Sequence, residues 1–134
     1  MITSIYPVLM TEKMEESLHF YKDYFGFTET FLSDWYISLS HPDGGELAFI
    51  DGLHETILPP YRSLVNGVIL NIESNNVRQL YEDIREKNES IIVMELRDEE
   101  YGQRHFMMKD PNGILVDVIE HIPPSEEFLK NYTE

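Results

Sequence analysis

Two carboxylates stand in strands that are otherwise apolar. Glu46 opens ELAFI, just after the turn HPDGG, and Asp117 sits inside ILVDVI, just after the turn DPNG. A carboxylate among aliphatic side chains has to be paired, protonated or aimed into a cleft. Asp117 therefore reads either as a ligand-contacting group or as a structural partner of a neighbouring strand or of Arg104. Glu46 reads as a ligand group or as an exposed strand end. His105, in RHFMMK, adds an imidazole that titrates near neutrality and suits a general base or a single metal ligand. His41, His54 and His121 fall in a turn, a linker and a tail and read as ordinary surface residues. Trp35, Tyr36, Tyr61 and Tyr101 are able to stack on a planar ligand, although core or rim packing explains them as well. Arg104 is expected to form a structural ion pair.

Composition narrows the chemistry. There is no cysteine among the 134 residues, which excludes disulfides, thiolate metal sites and a cysteine nucleophile. With 25 acidic against 10 basic residues the formal net charge is −15. Nucleic acid and anionic membrane surfaces need clustered Lys and Arg, so neither is an expected partner. Cationic or neutral small molecules are compatible. No apolar run is long enough for a transmembrane helix. The segment MITSIYPVLMTEKMEES lacks the basic region and cleavage site of a signal peptide, so a cytoplasmic protein is expected.

The elements that must position these residues follow from periodicity. Residues 2–10 read as a strand in which Pro7 removes a ladder donor. Thr11 is a candidate helix cap. Met14, Leu18, Tyr21 and Phe25 then form one helical stripe, and Gly26 ends it. Strands are expected over 27–33, 35–40 and ELAFI. Residues 52–66, with two prolines and no clear period, read as a linker or lid. A strand over 67–72 follows, then a helix capped by Asn75 with the stripe Val77, Leu80, Tyr81 and Ile84. Strands are expected over 90–96, 104–109 and 114–120, with RDEEYGQ as a loop, and Ser125 starts a short terminal helix. The order is β-α-β-β-β, linker, β-α-β-β-β: an internal repeat within one domain, 1–134. Module one is about 1–51, module two about 67–122, and 123–134 is a tail helix.

Two stretches carry a family resemblance. MEESLHFYKDYFGF (14–27) and YGQRHFMMKDPNGILVDVIE (101–120) resemble the helix end and the Gly-x-Arg and Asp-Pro-x-Gly segments of the vicinal oxygen chelate superfamily. That group contains glyoxalase I, bleomycin-resistance proteins, fosfomycin-resistance enzymes and extradiol dioxygenases. The resemblance implies an α+β fold: two βαβββ modules forming a cup-shaped mixed sheet with helices on the outer face. It also implies metal ligands, in metal-dependent members, at an early position of each module's first strand and at an acid in each last strand. Glu46 and Asp117 fall at the acidic positions. Pro7 and Gly67 fall at the other two and offer no side-chain ligand, nor do the adjacent Tyr6, Val8, Asn66 and Val68 supply an imidazole. Zinc, nickel and ferrous iron favour nitrogen ligands, so no metal cofactor is expected. If a divalent metal binds, Glu46, Asp117 and His105 are its candidate ligands.

Strand parity gives the expected lining of the cup: Tyr36, Ser38, Glu46, Ala48, Asn71, His105, Met107, Leu115 and Asp117. Leu47, Phe49, Phe106, Met108, Val116 and Val118 should face the helices. Apolar walls with a few polar groups describe a small-molecule site. The ligand-binding set is thus Tyr36, Ser38, Glu46, Asn71, His105, Met107 and Asp117; no catalytic residue is assigned. Closest in character are the metal-free bleomycin-resistance-like members, which sequester a drug and are homodimers with grooves between subunits. That resemblance implies a cationic glycopeptide or another planar ligand. The alternatives are a metal-dependent lyase or isomerase with a degenerate site, and a non-catalytic dimeric scaffold.

Overall fold

The structure is a computed structural model that describes residues 1–133. The chain divides into two compact units, residues 1–67 and the part from Val68 onward. The first contains β1 (Val8–Thr11), α1 (Met14–Phe25), β2 (Thr28–Leu32), β3 (Tyr36–Ser40) and β4 (Glu46–Asp51). The second contains β5 (Ile69–Glu73), α2 (Val77–Asn88), β6 (Ile92–Glu99), β7 (Gln103–Lys109), β8 (Leu115–His121) and a short α3 (Glu126–Leu129). The sheet orders are β1-β4-β3-β2 and β5-β8-β7-β6. In each, the first strand runs parallel to the last and the other pairs are antiparallel. The expected α+β architecture of two βαβββ modules is therefore present, with the same strand order twice.

Period two decides which face each sheet buries. Leu47 and Phe49 in β4, and Ile37 and Leu39 in β3, are buried; Phe49 packs 5.5 Å from the ring of Tyr21 on α1. In the second unit Phe106, Met108, Val116 and Val118 are all fully buried, and Phe106 lies edge-on to Tyr81 of α2 at 5.1 Å. The stripe on α1 is broader than expected, since Ser17 and Phe20 are buried with Leu18 and Tyr21 while Met14 and Phe25 are half-buried. Gly26 takes the left-handed conformation, φ 78°, and closes α1 through bonds to Tyr21 and Lys22.

Several local expectations shift. The first strand starts at Val8, not residue 2: Pro7 has no N–H, and its carbonyl accepts from Ala48 N at 3.1 Å. Thr11 does not cap α1. Its hydroxyl accepts from Lys13 N at 2.8 Å, and Lys13 is the cap position. The capping side chain of α2 is Asn76 rather than Asn75, accepting from Gln79 N. Glu120 on β8 adds a carboxylate to that helix start, 2.9 Å from Val77 N. The strand expected over 67–72 is Ile69–Glu73, and that expected over 90–96 runs on to Glu99. Residues 51–66 are tied down at both ends, Gly52 N to Thr11 O and Val65 N to Met10 O. A Cβ on Gly52 would come within 2.1 Å of the Ser63 carbonyl oxygen, so the backbones meet there only with glycine.

The two turns that open β4 and β8 are built alike. His41 N bonds Gly45 O and Asp110 N bonds Ile114 O, each at 3.1 Å. The Asp110 carboxylate accepts from Asn112 N and Ile114 N. His41 Nδ1 accepts from Asp43 N, which leaves Nε2–H to donate to Phe25 O at 2.7 Å. Superposing these turns makes Glu46 equivalent to Leu115, and Ala48 equivalent to Asp117. The two carboxylates share a strand parity but are offset by two residues, so they are not the same position of the repeat.

Phe106→Ala should lower the unfolding free energy by about 3–5 kcal/mol, the cost of emptying a sealed aromatic site. Phe31→Ala, on the exposed β2, should change it by no more than about 0.5 kcal/mol. Urea unfolding followed by circular dichroism measures both.

Candidate functional site

On the face of the second sheet opposite α2, a polar chain crosses three strands. Register places Asp117 of β8 opposite Met107 of β7 and beside Asn71 of β5. His105 of β7 lies opposite Ile119 of β8 and Arg97 of β6. Its ring is therefore diagonal to carboxylates on both sides. Nδ1 is 2.7 Å from Asp117 Oδ1, and Nε2 is 2.9 Å from Glu99 Oε2. Glu99 Oε2 also accepts from Arg97 Nε at 2.6 Å.

The protonation state follows from the partners. An ionised carboxylate only accepts hydrogen bonds, so both imidazole nitrogens must donate. With both partners ionised the ring is the imidazolium, and His105 is only 2% exposed. Burial alone pulls the imidazole pKa down, but the hydrogen bonds to Glu99 and Asp117 and their charges outweigh it, leaving the pKa raised. Glu99 moves the opposite way, lowered first by its bond to His105 and then by Arg97. The sequence of charges from Arg97 to Asp117 is +, −, +, −, a neutral set of which only His105 and Asp117 are buried. The outer Arg97–Glu99 pair is largely in solvent and contributes little; the inner contacts decide the geometry.

Asp117 is engaged only through Oδ1. Its side chain keeps 10% exposure, and Oδ2 neither bonds within the described residues nor is sealed from solvent. Met107 is half-buried and Asn71 exposed beside it. Tyr101, in the β6–β7 turn, lies near enough for both Glu99 and Asp117 to add to the burial that raises its phenol pKa.

The expected residues of the first unit form a different surface. Tyr36 and Ser38 are half-buried, Ala48 is buried and Glu46 is exposed at the start of β4. Tyr36 has Phe31 at 6.1 Å and Trp35 at 5.7 Å, and Trp35 stacks on His54 at 3.9 Å. Burial raises the Tyr36 phenol, opposed by a bond with Ser38 and aided by Tyr6. By repeat equivalence Val8, Tyr36 and Ala48 stand where the second unit has Asn71, His105 and Asp117. One scaffold thus presents an aromatic face in one copy and a charged one in the other.

Glu99 and Arg97 were not among the expected site residues. Parity counted from Met94 points Leu96 and Asp98 to this face. A bulge reverses it: Met94 pairs Met107 while Arg97 pairs His105, so three steps on β6 match two on β7. The other expected partner of Asp117, Arg104, instead forks onto Asp98 at 2.7 and 3.1 Å.

The donor set does not fit a divalent metal as it stands. Both His105 nitrogens face carboxylates, at 2.7 and 2.9 Å, so neither is directed at an open position. Pro7 and Gly67 offer no side-chain ligand and lie before β1 and β5 rather than in them, the β5 neighbour of Asp117 is Asn71, and Asp117's repeat equivalent is alanine. Among the described residues no group of three or more His, Asp or Glu is arranged to hold an ion.

A family model described as the Glyoxalase/Bleomycin resistance protein/Dioxygenase superfamily matches residues 4–118. The chain belongs to that superfamily. Solved structures agree at the level of the fold. A glyoxalase/bleomycin resistance protein/dioxygenase from Nocardioides is 19% identical with a TM-score of 0.72, covering 91% of this chain and 85% of that one. A lactoylglutathione lyase from Agrobacterium tumefaciens is 16% identical with a TM-score of 0.71, covering 88% and 92%. TioX from Micromonospora sp. ML1 is 16% identical with a TM-score of 0.69, covering 90% and 99%. Comparison with curated protein sequences finds no match.

The network sets the sign of the pH dependence. His105 has a raised pKa in the folded state, so its contribution is complete below the ordinary imidazole value of about 6.5 and is lost as pH rises through the folded value. Glu99, lowered, contributes above the ordinary carboxylate range and loses that contribution as pH falls through its folded value. Unfolding free energy should therefore decline from pH 6 toward pH 9, and His105→Gln should flatten that decline. An equal decline in the variant would place the titrating group elsewhere.

Proposed function

We propose that this protein binds a small organic molecule on the β5-β8-β7 face, without a metal, and that a ligand N–H or O–H is received by Asp117 Oδ2. The observation that carries the reading is the division of labour at Asp117. Oδ1 is held by the imidazolium of His105 while Oδ2 is left with open lone pairs. The His105 ring holds one oxygen of that carboxylate and leaves the other open, which preorganises an acceptor for a donor-bearing ligand. Asn71 adds an amide that donates and accepts, and Met107 an adaptable apolar contact. On the first unit Tyr36, Ser38 and Glu46 are proposed ligand-contacting residues in their own right, and the aromatic group around Tyr36 supports a planar molecule there.

The metal-free reading rests on the committed imidazole nitrogens and on Pro7, Gly67 and Ala48. Superfamily membership allows drug sequestration as well as catalysis, since one scaffold serves many chemistries. The reading includes a cytoplasmic homodimer; light scattering during gel filtration tests the dimer.

Calorimetry and thermal shift against planar cationic aromatics and a cationic glycopeptide are the direct test. A binder should be found, and Asp117→Asn should weaken it by roughly 10- to 100-fold, the value of a charged hydrogen bond. A panel without heat or thermal shift would favour the scaffold alternative. Protein purified without a histidine tag should carry substoichiometric metal and show no shift with nickel, zinc or manganese. Stoichiometric metal would favour the lyase or isomerase alternative.

A further inference from the structure

The β6–β7 turn, which follows Glu99 and carries Tyr101, is not held by the sheet alone. The segment after β8 folds back over it. Ile122 N bonds Gly102 O at 3.0 Å and Ser125 N bonds Glu100 O at 2.8 Å. The Tyr132 hydroxyl donates to the Tyr101 carbonyl, and the Phe128 ring meets the Tyr101 ring edge-on at 6.2 Å. Gly102, at φ 106°, is the point of closest approach: a Cβ there would meet Ile122 O at 2.9 Å and both Pro124 Cβ and Tyr132 Oη at 3.2 Å.

We propose that residues 122–132 act as a latch whose docking on the β6–β7 turn keeps Glu99 against His105 Nε2. Undocking frees that nitrogen from its carboxylate while the bond from Nδ1 to Asp117 stays within the β7–β8 ladder. The latch is a positioning element for the network, and the inference stands whether or not Asp117 binds a ligand.

Three features make the docked state marginal, as a release device requires. Leu129 and Tyr132 remain about half exposed, so docking buries little apolar surface. Glu126 and Glu127 follow Ser125, whose N–H bonds Glu100 O, so the tail brings two carboxylates to the turn that carries Glu100. Ser125 Oγ is buried without a hydrogen-bond partner among the described residues, a polar group desolvated on docking and not repaid. The charged groups acting on His105 are Asp117 from β8 and Glu99 from β6, the latter backed by Arg97. Only Glu99 sits on the latched element.

Nitrogen-15 NMR of the His105 ring in the full chain, at one fixed pH, tests the latch. Solvent exchange of the Nε2 proton is compared with exchange of the Val118 amide in the β8 core. Phe128→Ala combined with Tyr132→Phe should speed Nε2–H exchange about fivefold to tenfold, the scale of one lost hydrogen bond, and leave Val118 unchanged. Ser125→Ala should slow it. In a Glu99→Gln background the double substitution should add nothing further. Deletion of 123–134 should match the double substitution; should the deletion fail to fold, the point variants decide. The proposal is overturned if Nε2–H exchange is unchanged, or if it and Val118 accelerate together, which is what a purely global loss of stability would give. A ligand panel without binders bears on Asp117 and leaves this readout untouched.

Discussion

A buried imidazolium between two carboxylates is the constraint on which the second unit turns. A single charged ring at 2% exposure would be expelled or neutralised. Here Asp117 and Glu99 each accept one of its two protons, so the charge stays and fixes both acids in place. The cost of desolvation is offset only when every donor is used, and His105 has no donor left over.

The repeat shows how one scaffold takes on two surfaces. The helix-facing positions are apolar in both copies: Leu47 and Phe49 match Val116 and Val118, and Ile37 and Leu39 match Phe106 and Met108. Those positions answer to packing under α1 or α2, where volume and hydrophobicity suffice. The opposite face is under less of that demand and has diverged from Val8, Tyr36 and Ala48 to Asn71, His105 and Asp117, although Ile50 still matches Ile119. The fold alone does not name a ligand.

Local chemistry at the turns was readable for the same reason. Gly26 at the end of α1 and the Asp-Pro-Asn-Gly turn before β8 act through their own backbone and a few neighbours. The misreadings were also local in origin. Pro7 ended a strand that hydrophobicity alone would extend, Thr11 spent its hydroxyl on Lys13, and two consecutive asparagines left the cap of α2 ambiguous by one residue.

By itself, the amino-acid order determined the two βαβββ modules, the helix-facing core, and the singling out of Asp117 and His105, because period-two and period-3.6 patterning and turn chemistry are short-range signals. The tertiary structure alone decided that these two residues bond each other, that Glu99 and Arg97 complete the chain, and that Glu46 and Asp117 are not repeat equivalents. The physical reason is register. A β-bulge of one residue between Met94 and Arg97 turns Glu99 toward His105, and a fold-back of the tail secures it. Both depend on which strands lie side by side, information that no window of the chain contains.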